Sequence, residues 1–253
     1  MNEPHLQRNQ PPDVPPLALT GERTLPDVPE ENYWFRRHLA VYEWIAARVR
    51  GLLVADLACG EGYGADLLAG AAAEVVGVDA NPEAHGHARL RYRRANLRFE
   101  RGLVESFAGP VDAIVFLQTI EHIHEPGPLL ERFAAAAPLS YVTTPNRLTL
   151  APPGAEKSEN PWHLREYTAA EYRSLLEPHF SHVDLHGLYH ARKLRLHELA
   201  IRAGWDQVHP ALRITKPFYD RFVPAIAASD FTLRPGSQCD LDRALDFVAV
   251  CRR

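Results

Sequence analysis

An imidazole and a carboxylate stand side by side at Glu121-His122, shortly after the apolar run Ala113–Leu117. An imidazole has an ordinary pKa of about 6.5, so it can take a proton from an alcohol near neutral pH. We predict His122 as a general base, with Glu121 orienting it or acting as the base itself. His124 is the second choice for that role. The alternative interpretation is that these histidines cap the following helix or bond to the loop backbone.

A glycine-rich turn follows an earlier apolar run, in the sequence Asp56-Leu57-Ala58-Cys59-Gly60-Glu61-Gly62. Glycines let the backbone turn sharply and approach a ligand without a Cβ clash. Such a turn occurs in several nucleotide-binding folds, and it can also be a tight turn without a ligand. Asp56 favours one class of nucleotide ligand over another. A carboxylate repels the anionic pyrophosphate of a dinucleotide and attracts the cationic aminopropyl end of S-adenosylmethionine.

A second acidic residue, Asp79, ends the apolar run Val75–Val78. A carboxylate at that position can accept hydrogen bonds from both hydroxyls of an adenosine ribose. The same feature occurs in proteins that bind nicotinamide dinucleotides, so it predicts an adenosine site without choosing the cofactor. A nicotinamide-dependent enzyme therefore stays as an alternative at this point.

Short apolar runs alternate with helical stretches along most of the chain. This alternation predicts a Rossmann-like α/β fold, with a mostly parallel sheet and helices on both faces. In such sheets ligands bind beyond the carboxyl ends of the strands, where the glycine turn, Asp79 and His122 all fall. The predicted strands are 52–57, 74–78, 97–101, 113–117, 140–143, 180–186 and 244–251, and the predicted helices are 33–49, 63–69, 82–93, 126–136 and 168–176.

Two segments lie outside this alternation. Residues 1–20 contain five prolines and few large apolar groups, which predicts a flexible Pro-rich tail before a domain over 21–253. The segment 187–242 is longer than a connection between two predicted strands needs. We expect it to be a C-terminal insertion that caps the substrate.

The motif Asp56-x-x-Cys59-Gly60-x-Gly62 resembles the first motif of class I S-adenosylmethionine-dependent methyltransferases. The resemblance implies that the glycine turn lines the methionine end of the cofactor and that Asp79 holds the ribose. The usual Asp or Asn after the third strand is replaced by Gly102-Leu103-Val104, which implies an apolar and backbone contact to adenine. An arginine before the first strand is expected to bind the cofactor carboxylate. The cofactor-binding residues expected on this basis are Asp56, Ala58, Gly60, Gly62, Asp79, Ala80, Leu103, Gln118 and Arg36.

Aromatic rings, amides, histidines and guanidinium groups are mixed in the segments 21–38, 143–147 and 160–166. Proteins bind sugars with that mixture, because rings stack on aromatic faces and hydroxyls bond to planar polar groups. The alternative is that the aromatic residues 33–35 only seat the first helix. The predicted substrate-binding residues are Tyr33, Arg37, His38, Thr144, Asn146, Trp162 and His163.

Together, these segments resemble actinobacterial methyltransferases of cytoplasmic methylated polysaccharides, namely methylglucose lipopolysaccharide and methylmannose polysaccharide. The resemblance runs from Gly21 to about Glu166 and again over Asp240–Cys251. It implies O-methylation of a hexose hydroxyl in an oligosaccharide or polysaccharide, either a mannoside or a glucoside. The alternatives are a methyltransferase for a quinone or another small molecule, a nicotinamide-dependent sugar reductase, and a binding domain without catalysis.

The composition argues against several other partners. A formal net charge of -4 and a pI near 6.3 give no basic footprint for nucleic acid. No apolar run approaches the roughly 20 residues that span a bilayer, and no secretory signal is visible, so we expect a cytoplasmic enzyme without a membrane partner. The loop after the fourth predicted strand offers Glu121 and Glu125 but no paired aspartates. Since a bound metal needs several converging ligands, we expect a metal-independent enzyme.

Overall fold

The structure is a computed structural model that describes residues 4–7, 10–21 and 23–253. Its strands are β1 (Pro4–His5), β2 (Leu17–Ala18), β3 (Leu53–Leu57), β4 (Glu74–Asp79), β5 (Leu97–Arg101), β6 (Ala113–Phe116), β7 (Leu139–Pro145), β8 (His182–His190), β9 (Phe231–Pro235) and β10 (Asp246–Arg252). Its α-helices are α1 (Asn32–Ala46), α2 (Tyr63–Ala69), α3 (Pro82–Arg91), α4 (Pro126–Ala136), α5 (Arg147–Leu150), α6 (Ala169–Leu176), α7 (Arg192–Arg202), α8 (Trp205–Ala211) and α9 (Thr215–Phe222).

Eight of the strands form one sheet in the order β5-β4-β3-β6-β7-β10-β8-β9. The first five are parallel, and β10 is antiparallel to both of its neighbours. The central strands β3, β6 and β7 are buried along almost their whole length because helices cover both faces of the sheet. One core cluster includes α4 and α6, and the other includes α1 and α2. The predicted Rossmann-like fold is confirmed.

The chain reverses its direction of travel across the sheet at β3. This strand pairs with β4 on one side and with β6 on the other. The loops that leave β3 and β6 therefore run to opposite sides and open a crevice beyond the carboxyl ends of the strands. The glycine turn follows β3, and the loop that contains His122 follows β6.

The predicted insertion over 187–242 begins later than expected. Strand β8 continues to His190 because its second half pairs with β9, which extends the sheet at its edge. Helices α7, α8 and α9 form the connection between these two strands. They lie beside α1, where the Asn32 amide donates hydrogen bonds to the Val223 and Ile226 carbonyls.

The N-terminal segment also differs from the expected tail. Strands β1 and β2 pair with each other, and Val14 and Leu17 are buried. The segment is held to the domain by polar contacts as well. The Gln7 side chain donates to Glu61 Oε1 at 3.1 Å, and His87 Nδ1 lies 2.7 Å from the Pro15 carbonyl. Both apolar burial and buried polar partners therefore hold this segment to the domain.

Among the described residues, no helix has the length and hydropathy that crossing a bilayer requires.

Candidate active site

The glycine turn after β3 depends on backbone conformations that disfavour a side chain. Ala58, Gly60 and Gly62 all have positive φ, at 56°, 55° and 98°. A Cβ on Gly62 would lie 2.8 Å from Ala88 Cβ and 3.0 Å from the Phe99 ring. Gly62 therefore lets α2 begin against neighbouring elements. Gly62 does not line either of the two cavities beyond the carboxyl ends of the strands, so its predicted contact with the cofactor is not supported.

We expect Gly62→Ala to lower the free energy of unfolding by about 2 kcal/mol or more, because the residue is both left-handed and crowded. Gly86→Ala is the matched control. Gly86 lies inside α3, and a Cβ there would meet nothing within 4 Å. It should gain roughly 0.5–1 kcal/mol from helix propensity. Urea unfolding of both variants measures the difference, and equal stabilities would contradict this account of the turn.

Asp79 connects the glycine turn to the end of β4. Its Oδ2 accepts a hydrogen bond from the Gly60 amide at 2.8 Å, and its Oδ1 accepts one from the Asn81 amide at 2.8 Å. Each carboxylate oxygen keeps a further lone pair. Asp79, Ala80, Ala58 and Gly60 border a cavity of about 510 Å³, which we call the cofactor cavity. Its size and its paired acceptor oxygens fit an adenosine ribose.

Asp56 is fully buried beneath this cavity and does not line it. The Tyr42 hydroxyl, which does line the cavity, donates to both Asp56 oxygens at 3.2 and 3.3 Å. Burial raises the pKa of Asp56 to about 8. Asp56 is therefore not exposed to the cavity for the predicted direct contact with a cationic ligand, and the Tyr42 hydroxyl connects it to the cavity wall.

The raised pKa of Asp56 predicts a pH-dependent stability. The folded protein holds this proton more tightly than the unfolded chain, whose Asp pKa is about 3.9. The stabilisation is complete below pH 4 and is lost as the pH rises through 8. Asp56→Asn, which keeps an acceptor for Tyr42, should remove this loss. We expect the difference in unfolding free energy between wild type and variant to change by a few kcal/mol between pH 5 and 8. A constant difference would contradict the assignment.

Glu121 lies in the middle of the loop after β6, in a short 3-10 turn, and is almost completely buried. Its Oε2 accepts a hydrogen bond from the Thr144 hydroxyl at 3.1 Å, and burial raises its pKa to about 8. Its backbone carbonyl accepts from the Leu164 amide at 2.8 Å and from the Arg165 amide at 3.2 Å. These bonds hold the loop 160–166 against the loop after β6.

His122 and His163 are brought together by the same contact between loops. Their ring centroids are 5.1 Å apart. His122 Nδ1 lies 2.8 Å from the Trp162 carbonyl, and His163 Nδ1 lies 2.6 Å from Oε1 of the buried Glu166. Since both partners are acceptors, each Nδ1 donates the hydrogen.

One ligand atom from each of Glu121, His122 and His163 lies within 4.8 Å of the other two. The expectation of no metal rested on the absence of paired aspartates within one loop. It did not consider a ligand from a distant loop, because only the folded chain brings His163 beside Glu121. The donor set thus contains two imidazoles and a carboxylate.

A second cavity, of about 350 Å³, adjoins the cofactor cavity, and we call it the acceptor cavity. The two cavities share Arg23, Thr24, His38, Gln118 and His122. The acceptor cavity is also lined by Trp34, Arg37, Glu121, Asn160 and His163, and the cofactor cavity by Trp162. Most of the predicted catalytic and substrate residues therefore meet at one place.

Helix α1 divides the predicted residues by face. Trp34, Arg37 and His38 are spaced so that they share one face of the helix, and all three line the acceptor cavity. Arg36 lies outside that face. Tyr33 is four residues before Arg37 and contacts it, but neither Tyr33 nor Arg36 lines the two cavities. The Tyr33 hydroxyl is 2.8 Å from His190 Nε2 in a separate cavity, and Arg36 Nε donates to the Asn32 side chain at 3.1 Å. The two cavities therefore do not support the roles predicted for Tyr33 and Arg36.

Three further predicted residues do not line either cavity. Asn146 is buried, and its amide donates to the carbonyls of 241, 242 and 244, so it fixes the end of β7. Thr144 is also buried and contacts Glu121, which makes it a positioning residue. Leu103 is 62% exposed, because the loop after β5 turns its side chain to the solvent.

The charged groups around the acceptor cavity have defined states. Arg37 is buried and donates to both oxygens of Asp246, at 2.7 and 2.5 Å, so it is held rigidly. Burial lowers the pKa of His38 to about 4, which leaves this imidazole neutral at pH 7. His124 is exposed and lines a third cavity, which His122 also borders, but it lines neither the cofactor cavity nor the acceptor cavity.

The structure adds residues that the sequence did not indicate for the cofactor. Arg23 lines both cavities, and its Cβ lies 3.9 Å from the position of a Cβ on Gly60. Thr24 Oγ1 lies 3.2 Å from the Tyr63 hydroxyl. The mixed composition of 21–38 drew attention to this segment, but no local motif distinguishes Arg23 from Arg36.

Comparison with known proteins gives the family. Residues 54–137, which include the glycine turn and the loop after β6, match the family model described as "Methyltransferase domain". A "Probable S-adenosylmethionine-dependent methyltransferase" of Mycolicibacterium smegmatis is 39% identical over 94% of this chain and 95% of its own length. The chain is a class I S-adenosylmethionine-dependent methyltransferase. A Mycobacterium tuberculosis protein of the same description is 36% identical to this methyltransferase over 99% of this chain and 98% of its own length.

Solved structures agree with the fold of the methyltransferase. A SAM-dependent methyltransferase of Thermotoga maritima has a TM-score of 0.58 at 14% identity and covers 88% of this chain and 94% of its own. The magnesium protoporphyrin IX methyltransferase of Synechocystis, solved with bound SAH, has a TM-score of 0.50 at 22% identity over 64% of this chain and 78% of its own. At these identities the likeness concerns the fold alone. S-adenosylmethionine is the cofactor, which excludes the nicotinamide alternative.

Proposed function

We propose that this methyltransferase transfers the methyl group to a sugar hydroxyl of an oligosaccharide or polysaccharide. The observation that carries the proposal is the meeting of the two cavities at His38, Gln118 and His122. A cofactor on Asp79 and a sugar in the acceptor cavity would thus approach each other beside an imidazole.

The lining of the acceptor cavity supports a sugar as the acceptor. The indole of Trp34 is 39% exposed there, and the guanidinium carbon of Arg37 lies 5.0 Å from its ring centroid. The indole of Trp162 is 44% exposed in the adjoining cavity. Exposed indole faces beside imidazole, amide and guanidinium donors suit a pyranose, which has apolar faces and hydroxyl edges. The resemblance to enzymes of methylated polysaccharides favours a mannoside or a glucoside.

The cofactor, when bound, supplies a methyl group on a sulfonium, which is a strong electrophile. Residues of the chain hold it and orient the acceptor. Asp79 would accept hydrogen bonds from the ribose hydroxyls. Arg23, which lines both cavities, would bind the cofactor carboxylate, the role predicted for Arg36. His122 Nε2 would accept the proton of the attacking hydroxyl while the Trp162 carbonyl fixes its tautomer.

Methyl transfer from labelled S-adenosylmethionine to a panel of short mannosides and glucosides tests this proposal. The product linkage is then read by NMR. We expect one hydroxyl of one sugar class to be methylated. A quinol or catechol panel tested in parallel serves as the comparison. Transfer to those phenols without transfer to any sugar would contradict the proposal and support a small-molecule methyltransferase.

A further inference from the structure

The group formed by Glu121, His122 and His163 has the chemistry of a metal site. All three residues border the acceptor cavity, and their ligand atoms lie within 4.8 Å of one another. Two imidazole nitrogens and one carboxylate oxygen are the ligands of many catalytic metal ions, which keep open positions for substrate or water. A donor set with two nitrogens favours a transition metal or zinc over magnesium or calcium, which prefer oxygen.

The partners behind the two imidazoles support this interpretation. A histidine that binds a metal usually donates its other ring N–H to a carboxylate or to a backbone carbonyl. His163 Nδ1–H donates to the buried carboxylate of Glu166, and His122 Nδ1–H donates to the Trp162 carbonyl. One histidine of the group thus has a carboxylate partner and the other has a carbonyl partner, and both kinds occur behind metal-binding histidines. Such partners fix the ring orientation and leave Nε2 as the ligand nitrogen of each ring.

Glu166 is itself held in place. Its Oε1 accepts from the Ser158 hydroxyl at 2.5 Å, and its Oε2 accepts from the Ser158 amide at 2.9 Å. His163 Nε2 lies 3.1 Å from the Asn160 side-chain nitrogen, which is consistent with a lone pair on Nε2. A metal ion bound at this nitrogen would replace the contact with the Asn160 amide.

We propose that Glu121, His122 and His163 bind one divalent transition-metal ion whose open positions border the acceptor cavity. The ion would bind the acceptor hydroxyl and make it more acidic. The hydroxyl proton would pass to solvent, the oxygen would form a bond to the methyl carbon, and the carbon–sulfur bond would break with its electron pair left on sulfur. His122 would then act as a ligand rather than as the proton acceptor. The role of the ion rests on the proposed function, but its binding does not.

Binding of Co²⁺ to the full-length protein tests the site. The protein carries no affinity tag and is first stripped of metal with a chelator. We expect one equivalent to bind with visible absorption bands of a nitrogen-ligated ion, and Zn²⁺ to compete for it. Glu121→Gln, His122→Ala and His163→Ala should each raise the dissociation constant by at least tenfold. Glu166→Gln should raise it by about 10- to 100-fold, as loss of a partner behind a ligand does.

His124→Ala is the matched control, because it removes an exposed histidine near the site that borders another cavity. Its Co²⁺ affinity should equal that of the wild type. Calorimetric binding of S-adenosylhomocysteine shows whether each variant is folded. No saturable Co²⁺ binding, or equal binding by wild type, Glu121→Gln and His163→Ala, would overturn the proposal. Site-dependent binding without methylation of any sugar would support the metal site and contradict the proposed acceptor.

Discussion

His122→Ala is expected to lower kcat by ~10²–10⁴ while the dissociation constant for S-adenosylhomocysteine stays nearly unchanged. The imidazole borders both cavities, and it is held by the Trp162 carbonyl at 2.8 Å. Its loss removes either the proton acceptor or a ligand of the proposed metal ion. Both roles act on the acceptor oxygen and neither holds the cofactor. The value of kcat is measured from initial rates with saturating cofactor and the sugar that is methylated in the panel.

The control for this substitution is His124→Ala, which should leave kcat within the error of the wild type. Turnover that stays the same in His122→Ala would exclude any role of this imidazole in the reaction. A loss of cofactor affinity equal to the loss of kcat would instead assign His122 to cofactor binding.

Asp79→Ala is expected to weaken S-adenosylhomocysteine binding by about 10²-fold, because each hydrogen bond to a charged group contributes ~1.5–3 kcal/mol. The variant loses the acceptors for the ribose, and it also releases the Gly60 amide, whose 2.8 Å bond fixes the glycine turn. Isothermal titration measures the dissociation constant.

Asp112→Asn is the matched control for Asp79→Ala. Asp112 also accepts a hydrogen bond from a backbone amide, that of Leu53 at 2.8 Å. However, it precedes β6 and lies at the amino ends of the parallel strands. Its substitution should leave cofactor affinity unchanged. Equal affinities in wild type and Asp79→Ala would show that the ribose is held elsewhere.

The sequence predicted the sheet well because burial on both faces leaves a clear pattern. The run Ala113–Phe116 is completely buried and was predicted to within one residue. The helix predicted over 168–176 forms over Ala169–Leu176, where Thr168 is the N-cap and makes a full capping box with Glu171. These signals are local, so a chain without any known relative would show them too.

The site was harder to predict because it depends on contacts between distant segments. Helix periodicity could have separated Trp34, Arg37 and His38 from Arg36, since those three share a face that Arg36 does not. No local pattern places His163 beside Glu121, because that contact depends on bonds between two loops.

The buried carboxylate of Glu61 ties the Pro-rich start of the chain to the glycine turn. It accepts from Gln7, from the Tyr92 hydroxyl at 2.8 Å and from the Tyr63 amide at 3.0 Å. An engineer who trims the chain to begin at residue 21 would remove the Gln7 donor and the Pro15 carbonyl beside His87. Water would then reach the wall of the cofactor cavity. Removal of residues 1–20 would thus lower both the affinity for the cofactor and the thermal stability of the enzyme.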